Sequence, residues 1–326
     1  MIISKTPLRL TLGGGGTDLP TYYSRFGGFV VTTSLDKYVY VIVKPRFEKE
    51  IRVSYSITEI VKDINEIKHP VVREALRHLG MTSHLEIISI GDIPAKTGLG
   101  SSGSFAVGLL NALHAYRGEY LSKKELAEEA CYLQMDILKE PCGKQDQYIA
   151  SYGSFICLKI ARSGHVEVEP LNLPDDLIRE LESNLLFFYT GIKRDSSTVL
   201  EEQQKKILSE DEKTEMMHKI KEIGYKVKKA LKKGNLREFG ELQHEHWMIK
   251  RGTASTMTCD AIDKWYQLAL ENGAIGGKLI GAGGGGFLMF YCENNKDKVR
   301  KTLLKEGLRE VRFMFSNEGS KIIINI

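Results

Sequence analysis

The stretch that decides the fold reads Pro94-Ala-Lys-Thr-Gly-Leu-Gly-Ser-Ser-Gly-Ser104. An apolar run from His84 to Ile90 leads into it as a strand, and a helical pattern from Ser101 to Tyr116 leads away from it. Gly98 and Gly100 open backbone conformations that are closed to residues with a Cβ. Ser101, Ser102 and Ser104 stand where the helix begins. The unpaired N–H groups and positive dipole end of a helix N-terminus favour an anion. Serine hydroxyls there can cap the helix, bind phosphate or ligate Mg²⁺. This loop is therefore expected to hold the phosphates of a nucleotide.

Other phosphate-binding readings fail on local context. Gly98-x-Gly100-x-x-Gly103 matches a dinucleotide fingerprint in spacing only. A Rossmann unit needs a strand directly before the first glycine and a second strand ending in an acid. Here a proline-containing loop intervenes, and Lys123 to Leu138 reads as a helix. No Gly-Lys-Ser/Thr follows a glycine turn, which excludes a Walker P-loop. Neither His-Arg-Asp nor Asp-Phe-Gly occurs, which excludes a protein kinase.

The chain of 326 residues is long enough for two ordinary domains, and 42% apolar residues suffice for a core. A net charge of +4, with acids mixed among the lysines of 193–233, argues against a nucleic-acid partner. Five scattered cysteines without a Cys-x-x-Cys indicate neither zinc nor a disulfide framework. The start lacks a signal-peptide layout, and no apolar run spans a membrane. The expectation is a cytoplasmic protein, monomer or homodimer, with no membrane or nucleic-acid partner.

Patterning predicts a strand-rich first half. Strands are expected at 2–12, 29–33, 38–45 (the last two as a hairpin), 51–56, 84–90, 154–160 and 165–169. Helical patterns cover 61–78, with a break before Pro70, then 101–116 and 123–138; a short helix starts at Lys144. Pro170 to Pro174 is the expected seam, dividing the chain into 1–170 and 171–326. The second half alternates strands at 185–189, 276–280, 287–291, 310–315 and 321–324 with helices at 196–208, 213–233, 236–250, 259–271 and 296–304. That alternation predicts an α+β layout with an antiparallel sheet.

Three glycine-rich segments, 7–18, 94–104 and 281–286, lie far apart and each adjoins a strand. In that order they resemble the GHMP kinase superfamily. Pro94-x-x-x-Gly-Leu-Gly-Ser-Ser resembles its ATP-binding motif, and Leu279-Ile-Gly-Ala-Gly-Gly-Gly-Gly-Phe287 its third motif. Further carriers are Pro7-Leu-Arg-Leu-Thr-Leu-Gly-Gly-Gly-Gly-Thr-Asp18, Gly143-Lys-Gln-Asp-Gln147, Tyr189-Thr-Gly-Ile-Lys-Arg194 and His244-Glu-His-Trp247. These look most like the heptose 7-phosphate kinases of that superfamily. The resemblance implies a ribosomal-S5-domain-2-like N-terminal domain and a ferredoxin-like C-terminal domain, with ATP and Mg²⁺ between them. It implies a sugar phosphate as acceptor, phosphorylated at its anomeric hydroxyl. An unphosphorylated hexose as acceptor, or a catalytically weak sensor of ATP and sugar, are the alternatives.

Site residues follow position by position. The resemblance assigns ATP to Pro94, Gly98, Leu99, Gly100, Ser101, Ser102, Gly103 and Ser104. Asp146 matches the catalytic aspartate; phosphoryl transfer needs an aligned hydroxyl and an acceptor for its proton. Taken locally, Asp146 is equally a helix cap. Arg9 matches a catalytic arginine that would stabilise charge and keep Asp146 ionised. Asp18 matches a sugar-binding aspartate, and its local alternative is again a cap. Gly14, Gly15, Gly16, Thr17, Gly191, Gly283 and Gly284 complete the implied acceptor site. Gly15 and Gly16 replace the Glu-His pair of galactokinases, which argues for a roomier pocket. A phosphorylated acceptor needs cations, for which Lys144, Lys193, Arg194 and Arg25 are the candidates. The family's Mg²⁺-binding glutamate falls at Gln134 here, whose carboxamide oxygen supplies less field. Ser102 is then the better metal ligand. His244, His246 and Trp247 read as helix core, with a metal role unsupported for want of a third ligand.

Overall fold

A computed structural model describes residues 1–192 and 196–326 of the chain. β1 (Ile2–Gly13) ends at the first glycine bend; α1 (Pro20–Phe26) and β2 (Gly28–Pro45) follow. β3 (Ile51–Ser54) and β4 (Thr58–Val61) form a hairpin before α2 (Pro70–His78) and β5 (Leu85–Gly91). α3 (Ser101–Tyr116), α4 (Lys123–Cys131) and α5 (Gln145–Tyr152) lead to β6 (Phe155–Ile160) and β7 (Val166–Pro170). The rest comprises α6 (Asp175–Asn184), β8 (Leu185–Tyr189), α7 (Ser196–Ser209), α8 (Asp211–Lys232), α9 (Leu236–Lys250) and α10 (Asp260–Glu271). β9 (Gly276–Leu279), β10 (Phe287–Tyr291), α11 (Lys296–Lys305), β11 (Arg309–Glu310), β12 (Phe315–Ser316) and β13 (Lys321–Asn325) complete it.

Two sheets result. The larger runs β13-β1-β2-β5-β3-β4, with β6 and β12 also paired to β2, and β7 paired to β6. The smaller runs β11-β8-β10-β9, antiparallel throughout. Counting its strands in chain order gives 4-1-3-2, with helices between the first and second and between the third and fourth. That is the ferredoxin-like arrangement. Although β12 and β13 come last in the chain, they return to the larger sheet: β13 pairs β1, and β12 pairs β2.

Five expectations change, the first being that the strand of 310–315 is two short ones, β11 in the smaller sheet and β12 on the larger. The hairpin of 29–33 and 38–45 is one continuous strand, β2. Its first half pairs β6, its second half β5, and β1 follows it along nearly its full length. No reversing turn lies at 34–37; the broken alternation marks a register shift opposite Pro7–Arg9, a bulge that bends the strand. The 61–78 helix shrinks to α2, because Pro70 starts a helix while forcing His69 into extended backbone. The 123–138 helix passes at Tyr132–Ile137 into a π-helical turn, which buries Gln134. α6, short and acidic at its start, was not foreseen.

α3 packs on β1, β2 and β13, while α8 from the second half also packs on β1 and β2. One apolar cluster joins both halves, from Leu8 and Leu109 to Ile223 and Tyr291. Each fully buried Leu or Ile in it contributes roughly 1.5–3 kcal/mol. Among the described residues, no helix is long and apolar enough to cross a membrane.

Candidate active site

A cavity of about 910 Å³ opens between the N-terminus of α3, the bend after β1 and the turn after β9. Close backbone approach builds its floor. A Cβ on Gly98 would lie 2.4 Å from the Ile280 carbonyl oxygen, and one on Gly281 would lie 2.4 Å from the Gly98 oxygen. The second and third glycine segments therefore touch, which side chains would prevent.

The first segment joins them through Arg9. Its backbone N–H donates to the Leu99 carbonyl (3.0 Å), and its guanidinium to the Gly98 carbonyl. Its Nε and Nη2 meet the two carboxylate oxygens of Asp146 at 2.7 and 3.2 Å. Arg9 is 5% exposed, so the pair is shielded on the arginine side. Asp146 sits in the first turn of α5, against the start of α3: a Cβ on Gly103 would lie 2.6 Å from the Asp146 Cβ. Asp146 caps no helix; its carboxylate is turned to Arg9.

Asp18 is the cap, but of a distant helix. Its carboxylate accepts from the Gly16 N–H (3.0 Å) and from the backbone and side chain of Gln145 (3.0 and 3.2 Å). Gln145 opens α5, so Asp18 fastens the glycine bend to the helix carrying Asp146. Burial raises the Asp18 pKa and the Asp146 charge adds to this, while the Gln145 N–H opposes them.

α3 starts at Gly100 (φ 74°) with no side-chain cap, which leaves its first N–H groups facing the cavity. Ser101, Ser102, Gly103 and Pro94 line the cavity with them. Leu99 is core, and the Ser104 hydroxyl is spent on the Pro7 carbonyl (2.7 Å). Beside Ser102 lies a residue the sequence reading passed over. The Gln134 amide nitrogen is 3.0 Å from Ser102 Oγ and 2.7 Å from a Glu140 carboxylate oxygen. Burial raises the Glu140 pKa, opposed by the Gln134 hydrogen bond. The amide network has a second arrangement. With Gln147 turned, its nitrogen donates to the Gly143 and Lys144 carbonyls (3.0 and 3.1 Å), and its oxygen faces Gln134. That contact would need Gln134 to turn as well, giving up its bonds to Ser102 and Glu140 and setting its oxygen 2.7 Å from the Glu140 carboxylate, two acceptors that only a cation between them would reconcile.

Other expected site residues lie apart. Gly15 and Gly16 line the cavity, but Gly14 does not, and the Thr17 hydroxyl donates into the bend's own backbone at the Gly14 and Phe29 carbonyls. Lys144 donates to the Gly164 carbonyl (2.6 Å) in a separate hollow beside Tyr23. Arg25 covers the Phe26 ring from the surface. Gly191 is exposed, and Gly283 and Gly284 pack on Met257. Lys193 and Arg194 lie outside the described residues. The cavity instead holds three basic side chains that the sequence reading did not place there: His246, read as helix core, and Lys250 and Lys278. A signal existed. Gln243, His246 and Lys250 form an i, i+3, i+7 polar stripe, and Lys278 is a charge inside a strand otherwise made for burial.

This geometry frames the comparisons. The model for the GHMP kinases N terminal domain matches residues 65–154, and that for the GHMP kinases C terminal matches 227–309; together they span just over half of the chain. The chain belongs to the GHMP kinase superfamily. It is 29% identical, over 98% of each chain, to the D-glycero-alpha-D-manno-heptose 7-phosphate kinase of Campylobacter jejuni. It is 27% identical, over 89% of each chain, to a Thermococcus kodakarensis galactokinase. The solved D-glycero-D-manno-heptose 1-phosphate kinase of Bacteroides thetaiotaomicron superposes with a TM-score of 0.83, at 26% identity and full coverage of both chains. The expected GHMP kinase fold, with its S5-like and ferredoxin-like domains, is borne out. The protein is an ATP-dependent phosphotransferase with an alcohol acceptor, a GHMP sugar kinase. GHMP kinases take ATP and, typically, Mg²⁺.

Proposed function

We propose that this GHMP kinase transfers the γ-phosphoryl of ATP to the anomeric hydroxyl of D-glycero-D-manno-heptose 7-phosphate, giving the 1,7-bisphosphate. The observation that carries the reading is the Arg9–Asp146 pair, set between the open N-terminus of α3 and the Asp18-braced bend. The names of the Campylobacter jejuni and Bacteroides thetaiotaomicron relatives both describe kinases of phosphorylated heptoses, which supports a sugar phosphate as acceptor.

The N–H groups of Ser101, Ser102 and Gly103, with the helix dipole behind them, bind the triphosphate. Asp146 accepts the proton of the attacking hydroxyl. Each of its oxygens gives one lone pair to Arg9 and keeps another for the acceptor. Held in place by Arg9, it meets the hydroxyl of a loose transition state in which the proton leaves late. Arg9 also offsets charge on the moving phosphoryl group. Asp18, Gly15 and Gly16 position the sugar.

Ser102, Gln134 and Glu140 fit a Mg²⁺ ion. Ser102 and Glu140 both lie against the Gln134 amide, so with that amide turned a Mg²⁺ ion there would be offered a hydroxyl, a carboxamide oxygen and a carboxylate, the oxygen set a hard cation takes. Glu140 thereby supplies the carboxylate missing at position 134. A bound Mg²⁺ neutralises phosphate charge. The deciding experiment is coupled ADP release with heptose 7-phosphate, heptose and galactose, with ³¹P NMR of the product. A phosphoryl group found anywhere but at C1, or turnover confined to unphosphorylated sugars, refutes the proposal.

A further inference from the structure

The cavity has a basic wall that nucleotide binding leaves unexplained. His246 and Lys250 lie on one face of α9, a turn apart, and Lys278 is in β9. They are 1, 8 and 2% exposed, respectively. Lys278 Nζ donates to the Leu12 carbonyl (2.9 Å) and stands 3.3 Å from His246 Nδ1. Lys250 Nζ donates to the Gly281 carbonyl. An ammonium has three donors, so both lysines keep some unspent. His246 Nε2 is buried with no partner at all.

Among the described residues no carboxylate pairs with this charge, and Asp18 only pulls on Lys250 without an ion pair. Asp146 is held by Arg9, and Asp18 by Gly16 and Gln145. Burial and the neighbouring Lys278 and Lys250 charges hold His246 far below the usual imidazole range. Burial, Lys250 and Arg9 do the same to Lys278. Like charges buried together without a counter-ion are costly, and a phosphate dianion is the counter-ion that removes the cost. The nucleotide's phosphates have their own cradle at α3. Lys278 instead grips Leu12, where the bend toward Gly15, Gly16 and Asp18 begins.

We infer that His246, Lys250 and Lys278 form the socket for the phosphate group that the acceptor sugar already carries. The inference rests on the acceptor reading above and deepens it: the Leu12–Asp18 bend holds the sugar, and the lysine pair holds its far end. Arrival of the dianion draws protons onto the socket, so binding takes up protons from the buffer.

The test is calorimetric titration of the full chain, wild type and with Lys250→Met or Lys278→Met. The probes are D-glycero-D-manno-heptose 7-phosphate, the same heptose without phosphate, ADP and a non-hydrolysable ATP analogue. The wild type should prefer the phosphorylated sugar by about 10- to 100-fold, the scale of one or two charge-assisted hydrogen bonds. Both variants should lose that preference, keep ADP affinity, and melt no lower than wild type without ligand, because each replaces a buried amine that has no carboxylate partner by an apolar chain of similar length. His246→Gln, which deletes a ring nitrogen with no protein partner, gives a third reading if a lysine variant does not fold. Preference retained in the variants overturns the socket. So does weakened binding of the ATP analogue alone, which would assign the lysines to the γ-phosphate. Equal use of both sugars by the wild type overturns the socket but leaves the kinase reading standing. No binding and no turnover with either sugar overturns both.

Discussion

Arg9 and Asp146 lie 137 residues apart in the chain and meet in a two-point contact, Nε to Oδ1 at 2.7 Å and Nη2 to Oδ2 at 3.2 Å. The contact fixes the plane of the carboxylate, so that neither oxygen is free to rotate away from an incoming hydroxyl. Asp146→Asn removes the proton acceptor and keeps one of the two Arg9 contacts, because the amide oxygen still accepts while the amide nitrogen cannot. Turnover should fall by about 10²-fold or more, the scale of general-base losses, with ADP affinity within a few fold of wild type. Steady-state kinetics with a nucleotide titration checks this; near-wild-type turnover would take Asp146 out of its role.

Gly103→Ala tests the same geometry without touching charge. The new methyl would lie 2.6 Å from the Asp146 Cβ, too close for either to stay in place. A displaced base costs rate more than binding, and an error of about 1 Å can cost 10²-fold. The expected result is a fall in kcat with KM for ATP little changed and a far-UV spectrum like wild type.

Glu140→Gln should raise the Mg²⁺ concentration for half-maximal activity by about 10-fold, the scale of losing one metal ligand's charge. Titration with Mn²⁺ in the presence of ADP, read by water-proton relaxation, reports the same loss without turnover. Gln134→Glu, which adds a carboxylate where this chain has an amide, should tighten the ion. Unchanged Mn²⁺ affinity in both variants excludes the Ser102–Gln134–Glu140 site.

Stability should carry the mark of Lys250. Burial and the nearby Arg9 push its pKa down from 10.5 to about 8, against a smaller upward pull from Asp18. Below pH 8 the folded and unfolded chains both hold its proton; between 8 and 10.5 only the unfolded chain does. The unfolded state thus binds more protons in that window, and the empty protein gains stability as pH rises through it. The gain is at most roughly 3 kcal/mol. Thermal melts of wild type and Lys250→Met at pH 7.5 and 9.5 read it: the variant's advantage should shrink as pH rises. An advantage constant with pH rules out a buried, titrating Lys250.

What the sequence revealed and what it hid divide along physical lines. Arg9, Asp18 and Asp146 stood out because they fall at matching positions of the GHMP motifs; taken locally, the two aspartates read as helix caps. The antiparallel sheet of the second half was legible from the alternation of apolar strands and long helices, while its ferredoxin-like order came only from the family resemblance. Lys250 and Lys278 were not legible, since a lysine in a helix or beside glycines reads as solvated until the opposing wall is known. Glu140 was hidden for another reason. It follows a π-helical turn that no periodicity announces, and only the fold brings it to Gln134. The bend in β2 was missed because a bulge and a turn break alternation in the same way.

The hydroxyls of Thr6 and Ser320 meet at 2.8 Å across 314 residues, where β13 closes the flank of β1. At about 5–20 residues per second, the ribosome takes roughly 15–60 s to deliver that closing segment after β1 has emerged. Throughout that interval the outer edge of β1, a strand largely buried in the folded protein, stays unpaired, the kind of edge onto which other chains add. Yield in the cell should therefore depend on how quickly residues 315–325 arrive, and shortening the chain by that segment should send it to inclusion bodies even though every catalytic side chain is still present.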